Sequence, residues 1–294
     1  MTQSDGPDND TARQRAYLAL RLKKAGRRAL QDLAPPVLWR ALGGTRRVKA
    51  SHDNLMHAAD GDPFAVPPEG PHRFRFLAGN PLIEVPVSRM RYAGGLRFTA
   101  DEHHFVRYLS HGIAALEAFY RNHCPRDVLE KHFLPFSGRA DTPLKGLPWI
   151  EYQDGEFDRN VPSEKGLAAS HGHQHHGPAS PQKIDLEASH LDRLRASFEK
   201  HGLRDTGEYP TGHFIADADG DWAFYVKDGQ HRLAVMAHMG YETARVTLTG
   251  GLRVADEASA GHFPMVHHRL LSREEAIAVL RAYTKPRDKA GLFA

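Results

Sequence analysis

Residues 228 to 232 read Asp-Gly-Gln-His-Arg and stand between an apolar run, Trp222 to Val226, and a helix-like run, Leu233 to Met239. A glycine at a strand end lets the backbone turn with positive φ, and the first amides of the helix that follows have no intrahelical partners. Such amides form an anion site. Asp228 adds a base or metal ligand, His231 a hydrogen-bonding group and Arg232 a bidentate clamp, and phosphate is the guest that these groups suit. The same residues also make an ordinary Asp-Gly turn between a strand and a helix, which needs no ligand.

The flanking pattern reads as a β-β-α-β run. Gly212 to Asp217 and Asp221 to Lys227 are two strands joined by Ala218-Asp219-Gly220, whose Asp-Gly supplies the tight turn. The helix Gln230 to Met239 and the strand Ala244 to Leu248 complete it. Ahead of the hairpin, Asp185 to His201 is a helix with Leu186, Leu191, Leu194 and Phe198 as its buried stripe and Gly202 as its C-cap. After it, Ser272 with Glu275 forms a capping box for a last helix that turns Ala276, Ile277, Leu280 and Tyr283 inward.

The segment Val226 to Val246 resembles the signature of the ParB and sulfiredoxin superfamily. In that superfamily a strand enters a Gly-x-x-Arg turn whose helix N-terminus holds nucleotide phosphates, and a second strand follows a short turn. Gly229, His231 and Arg232 match the first turn, and Gly240-Tyr241 match the helix stop. Free-serine kinase members carry a similar Asp-Gly-His-His-Arg, so Asp228 corresponds to their acidic residue. His176 to Ser180, His-Gly-Pro-Ala-Ser, is similar to a loop ahead of the long helix in uncharacterised ParB-like proteins. The likeness covers roughly residues 175 to 248. Sulfiredoxins place a catalytic cysteine just before the His-Arg pair, where this chain has Gln230, so sulfinic acid reduction is not expected. Partition ParB proteins continue into a helix-turn-helix and a dimerisation domain, for which the residues after Leu248 are too few.

The resemblance implies an α+β fold, a ParB/sulfiredoxin-like mixed sheet with helices, preceded by a helical and extended accessory region. The expected divisions are a basic helical arm over 1–50, an accessory region over 51–150, the nucleotide-binding domain over 151–255 and a helical extension over 256–294. It also implies nucleotide-dependent phosphotransfer or hydrolysis with ATP, ADP or CTP and Mg²⁺. Gly229, Gln230, His231, Arg232, His176 and Ser180 would bind the nucleotide. Asp228 and His231 would be catalytic, with Asp228 also the Mg²⁺ ligand, acting on a small hydroxyl-bearing substrate. His176, Ser180 or one of Glu151, Asp154, Glu156 and Asp158 would serve the acceptor.

Charge is distributed unevenly. Residues 1 to 50 hold 11 Lys or Arg against 4 Asp, and residues 51 to 294 hold 28 basic against 32 acidic, so the net of +3 hides a basic start. Within that start Leu18, Leu22, Ala25, Ala29 and Leu33 recur at helical steps among arginines and lysines. Residues 11–33 therefore read as a basic amphipathic helix able to meet an anionic membrane surface or a protein partner. Docked in this way, a non-catalytic nucleotide sensor is the alternative to an enzyme. DNA binding is not expected, because the basic residues lie outside the recognisable domain. Cys124 is the sole cysteine, and no apolar stretch approaches the roughly 20 residues of a membrane span. The chain reads as cytoplasmic, with peripheral attachment to a membrane through residues 11–33 as the second option.

Two regions invite other uses. Thr99 with Glu102 predicts the start of a helix that carries Phe105, Leu109, Ile113, Leu116 and Tyr120 on one face up to Pro125, with His103, His104, His111 and His123 as surface or packed residues. Residues 135 to 185 predict a long loop holding His171, His173, His175 and His176, a tract able to bind zinc or nickel.

Overall fold

The computed structural model describes residues 56–57, 82–138, 144, 146–150, 167–205, 207–249, 252–285, 289 and 291–293. The basic helix expected over 11–33 and the acidic candidates Glu151, Asp154, Glu156 and Asp158 lie outside them. The chain divides into two units, Met1–Lys49 with Asp154–His171, and Ala50–Gln153 with Gly172–Ala294. In the first, Ala169–His171 form a 3-10 turn in which the His171 amide donates to the Ala168 carbonyl at 3.0 Å. Everything below concerns the second unit.

Among its described residues, that unit is an α+β structure built on a seven-stranded mixed sheet. Its strands are β1 (Met56–His57), β2 (Leu82–Pro86), β3 (Met90–Arg91), β4 (Thr211–Ala216), β5 (Trp222–Asp228), β6 (Thr243–Leu248) and β7 (Val254–Asp256). The order is β1-β2-β6-β4-β5-β3, with β7 also paired to β4. β4 and β5 form the antiparallel hairpin expected from the Asp-Gly turn, with Phe214 opposite Phe224. β4 pairs in parallel with β6 through Thr211 and Gly212 and with β7 through Phe214 to Ala216.

The central strands are apolar on both faces, because successive side chains point to opposite sides of a sheet. Phe214, Phe224 and Val226 enter one core with Phe105, Leu116, Phe119, Leu191 and Leu233, whereas Ile215 and Ala223 enter a second with Val279, Leu280 and Tyr283. Helices cover both faces. On the first lie α1 (His104–His111), α2 (Ile113–Asn122), α4 (Pro181–His201) and α5 (Gln230–His238); on the second lies α7 (Arg273–Thr284), with α3 (Val128–Lys131) and α6 (Pro264–His267) as single turns nearby. Burying each large apolar side chain contributes about 1.5–3 kcal/mol relative to exposure.

Several expectations change. Residues 82–91 supply β2 and β3 to the same sheet as β4, β5 and β6 and share one core with them. The helix expected from Thr99 begins at His104 and is broken at Gly112, which closes α1 and opens α2 at φ 77°. Glu102 does not complete a capping box; its carboxylate accepts from the Arg97 amide at 2.9 Å and pairs with Lys289. α4 starts at Pro181 rather than Asp185, because Ser180 caps the Lys183 amide at 3.2 Å and Pro181 fits the first turn. Its buried face is Lys183, Ile184, Glu187, Ala188, Leu191 and Phe198, with Leu186 only half-buried. α7 begins with the expected Ser272–Glu275 capping box.

Candidate functional site at the β5–α5 turn

β5 forms because Trp222 to Val226 is an apolar run rich in aromatic residues that sends Trp222, Phe224 and Val226 into one core and Ala223 and Tyr225 into the other, and it ends where Lys227 and Asp228 become exposed. Gly229 then takes φ 88°, ψ 14° and N-caps α5 without any side-chain cap. A Cβ at that position would lie 2.9 Å from the Pro210 Cα. Both the left-handed backbone and the close approach therefore require glycine. The Leu233 amide closes the first turn on the Gly229 carbonyl at 3.0 Å. The amides of Gln230, His231 and Arg232 precede it and have no capping side chain.

The side chains of the motif diverge from this turn. Asp228 is exposed, and its Oδ1 accepts from the Gly229 amide at 2.8 Å. Gln230 is buried and folds back, Nε2 donating to the Lys227 carbonyl at 2.6 Å. Arg232 is half-buried and donates through Nη1 to the Glu208 carbonyl.

His231 points inward. Its Nε2 lies 2.5 Å from Glu187 Oε2, and its ring stacks on Phe105 with centroids 4.5 Å apart and lies 4.3 Å from the His190 ring. Glu187 in turn meets Lys183 Nζ at 2.6 Å through Oε1, one helical turn back on α4. Lys183, Glu187 and His231 are all buried. Burial alone would raise the Glu187 carboxyl, but the hydrogen bond and charge of His231, together with Lys183, more than offset it and hold it at about 2.

Of the two loop candidates, Ser180 caps α4, the helix that carries Lys183 and Glu187. His176 faces its own neighbour, Nδ1 lying 3.0 Å from the Gly177 carbonyl, and forms a short bridge with His173. The structure thus gathers Asp228, Gly229, Gln230 and Arg232 into one turn and ties His231 to α4.

Within the histidine tract, His175 and Gln174 are used for packing. His175 Nδ1 lies 2.6 Å from the Tyr92 hydroxyl, and the Gln174 carbonyl accepts from Tyr92, Tyr120 and His104 at 3.1 to 3.2 Å. Burial pushes His103, His104 and His175 well below the ordinary histidine range. Among the described residues, the group with metal-ligand spacing is Glu187, His190 and His231, which takes no member from the tract and does not include Asp228.

Lys183, Glu187 and His190 were missed by sequence reasoning. Their signal is the spacing i, i+4, i+7 on a helix, which sets three polar groups on the face that also carries Ile184 and Leu191. Two surface concavities, of about 380 and 260 Å³, lie instead beside β7 around Asp256, and neither is lined by residues 228 to 232. No family model, curated protein or solved structure matches the chain. Among the described residues no helix is long and apolar enough to cross a membrane.

Proposed function

We propose that this chain is a nucleotide-binding protein of ParB/sulfiredoxin-like fold, in which the β5–α5 turn holds nucleotide phosphates for phosphotransfer or hydrolysis. The observation that carries the reading is the start of α5, where a left-handed Gly229 opens a helix with no side-chain cap and Arg232 stands in the same first turn. Unsatisfied amides at the positive end of a helix attract anions, and a nearby guanidinium adds bidentate hydrogen bonds to phosphate oxygens.

In this reading Asp228 binds Mg²⁺ or accepts the proton of an acceptor hydroxyl, since it is the exposed carboxylate beside the turn. His231 acts from behind: with Glu187 and Lys183 it fixes α5 against α4, so the amides are held in position before the ligand arrives. Gly229 and Gln230 shape the turn, and Ser180 and His176 belong to the segment leading into α4. ATP, ADP or CTP with Mg²⁺ is the proposed ligand class, with a small hydroxyl-bearing molecule as acceptor. Residues 11–33 would dock the protein on an anionic membrane or a partner.

Thermal unfolding of the full chain with ATP, ADP, CTP and GTP, each with Mg²⁺, tests the reading, because a ligand that binds the folded state raises the midpoint by mass action. A rise with one nucleotide is expected, and in Arg232→Ala that rise shrinks by the equivalent of about 1.5–3 kcal/mol of binding. Equal or absent shifts in both proteins with every nucleotide would remove the phosphate site.

A further inference from the structure

The contact between α4 and α5 brings a second kind of chemistry together behind the turn. Donor atoms of Glu187, His190 and His231 all lie within 4.8 Å of one another. Glu187 and His190 are three residues apart on α4 and share a face, while His231 comes from the first turn of α5. The carboxylate is divided: Oε1 is held by Lys183 Nζ at 2.6 Å and Oε2 is presented to His231 at 2.5 Å. Glu187 and His231 are buried and His190 is half-buried, and the Phe105 ring stacks on His231.

We infer that Glu187, His190 and His231 are the ligands of a divalent first-row transition-metal ion. Two imidazoles and one carboxylate are a donor set for zinc or iron(II), whereas Mg²⁺ and Ca²⁺ take oxygen ligands. Bonds of about 2.0–2.2 Å to such an ion put neighbouring ligand atoms a little over 3 Å apart, so small side-chain rotations bring the three donors to coordination distance. The ion takes the place of the proton that Glu187 and His231 share, and that proton passes to solvent or to Nδ1 of His231. Lys183 then acts as a positioning residue, fixing the carboxylate through the oxygen that does not bind the metal. Three protein ligands leave coordination positions open, as in metal sites that bind water or an anion rather than serve structure alone. The site does not depend on the phosphate reading, although His231 belongs to both regions.

The test uses the full chain, stripped with a chelator and titrated with Co²⁺ and Zn²⁺ without nucleotide. Co²⁺ reports coordination by its visible absorption, and Zn²⁺ is counted by equilibrium dialysis. His190→Gln is the deciding variant, because a half-buried helix position tolerates the change and far-UV circular dichroism verifies the fold. His173→Gln controls for capture by the histidine tract. The wild type and His173→Gln are expected to show the same Co²⁺ band and to bind one more Zn²⁺ than His190→Gln. Affinity in His190→Gln should fall by at least the about 10- to 100-fold seen when only a supporting group around a metal is lost. An identical band and stoichiometry in folded His190→Gln, or no band in the wild type, would overturn the site.

Discussion

The hairpin β4–β5 ends in two aspartate-containing turns that use the same residue type in opposite ways. At one end Asp217, Asp219 and Asp221 alternate, a spacing familiar from loops that bind cations through carboxylates. That turn is filled from within: Lys285 Nζ lies 3.3, 3.0 and 2.5 Å from the three carboxylates, and Thr284 donates to Asp217 at 2.7 Å. Hydrogen bonds to Asp221 and Asp219, the largest causes, raise the Lys285 ammonium above its usual range. At the other end, among the described residues, the Asp228 carboxylate bonds only to the next amide in its own turn, Arg232 reaches away to a carbonyl, and α5 opens without a side-chain cap. Among the described residues a remote lysine supplies the counter-charge at the first turn, and no ion pair reaches Asp228 at the second.

The largest effect expected from breaking this contrast lies behind the second turn. Glu187→Gln leaves Lys183 and His231 buried without their carboxylate, which should cost about 3–5 kcal/mol, read from urea unfolding. The same group shapes the acid limb. Its folded value of about 2 lies below the ordinary glutamate value of about 4.3, so its stabilisation is present above the ordinary value and is lost as pH falls toward 2. The buried histidines act earlier. His123 and His213 are pushed down to about 3, by burial first, and His213 accepts a hydrogen bond from Trp149 Nε1 at 2.8 Å, which requires a neutral ring. Their contribution is complete above about 6.5 and declines as pH falls from there to 3. Thermal midpoints should therefore begin to drop below pH of about 6.5, well before the carboxylates titrate; a flat midpoint down to the carboxylate range would contradict the neutral, buried imidazoles.

Gly229→Ala comes next. A Cβ in the left-handed conformation beside Pro210 should cost about 1–3 kcal/mol, and unchanged urea stability would show that the turn can relax. Lys285→Ala sharpens the contrast from the other side. It should lower the thermal midpoint and make it rise with Ca²⁺, while no such rise is expected in the wild type, since Asp217 and Asp221 then lose their lysine and Asp219 keeps only the more distant Arg281 at 3.9 Å. The smallest effect is Asp228→Ala, within about 0.5 kcal/mol in stability because the residue is exposed, while nucleotide turnover should fall sharply.

What was legible in the sequence was local. The hairpin, α5 and β6 follow from apolar runs separated by Asp-Gly and Gly-Tyr turns, and the Ser272 capping box carries its whole signal within four residues. The break at Gly112 was less visible because apolar residues continue at helical spacing across it. What pairs across long separations was not legible. β2 pairs with β6, Glu187 meets His231 44 residues away, and Lys285 closes a turn 64 residues earlier. Neither Lys183 nor Glu187 differs in type from a solvated helix residue; only the face they share with Ile184 and Leu191 sets them apart.

The uncapped amides that open α5 are proposed to hold phosphate. Amide hydrogen exchange of the full chain, with and without Mg²⁺ and the nucleotide that shifts the melting midpoint, measures it at those residues. Protection is expected to rise at residues 230 to 232 when nucleotide is present, and to stay at its nucleotide-free level in Arg232→Ala. Unchanged exchange at these amides, with protection gained elsewhere on the chain, would place the nucleotide away from the α5 turn.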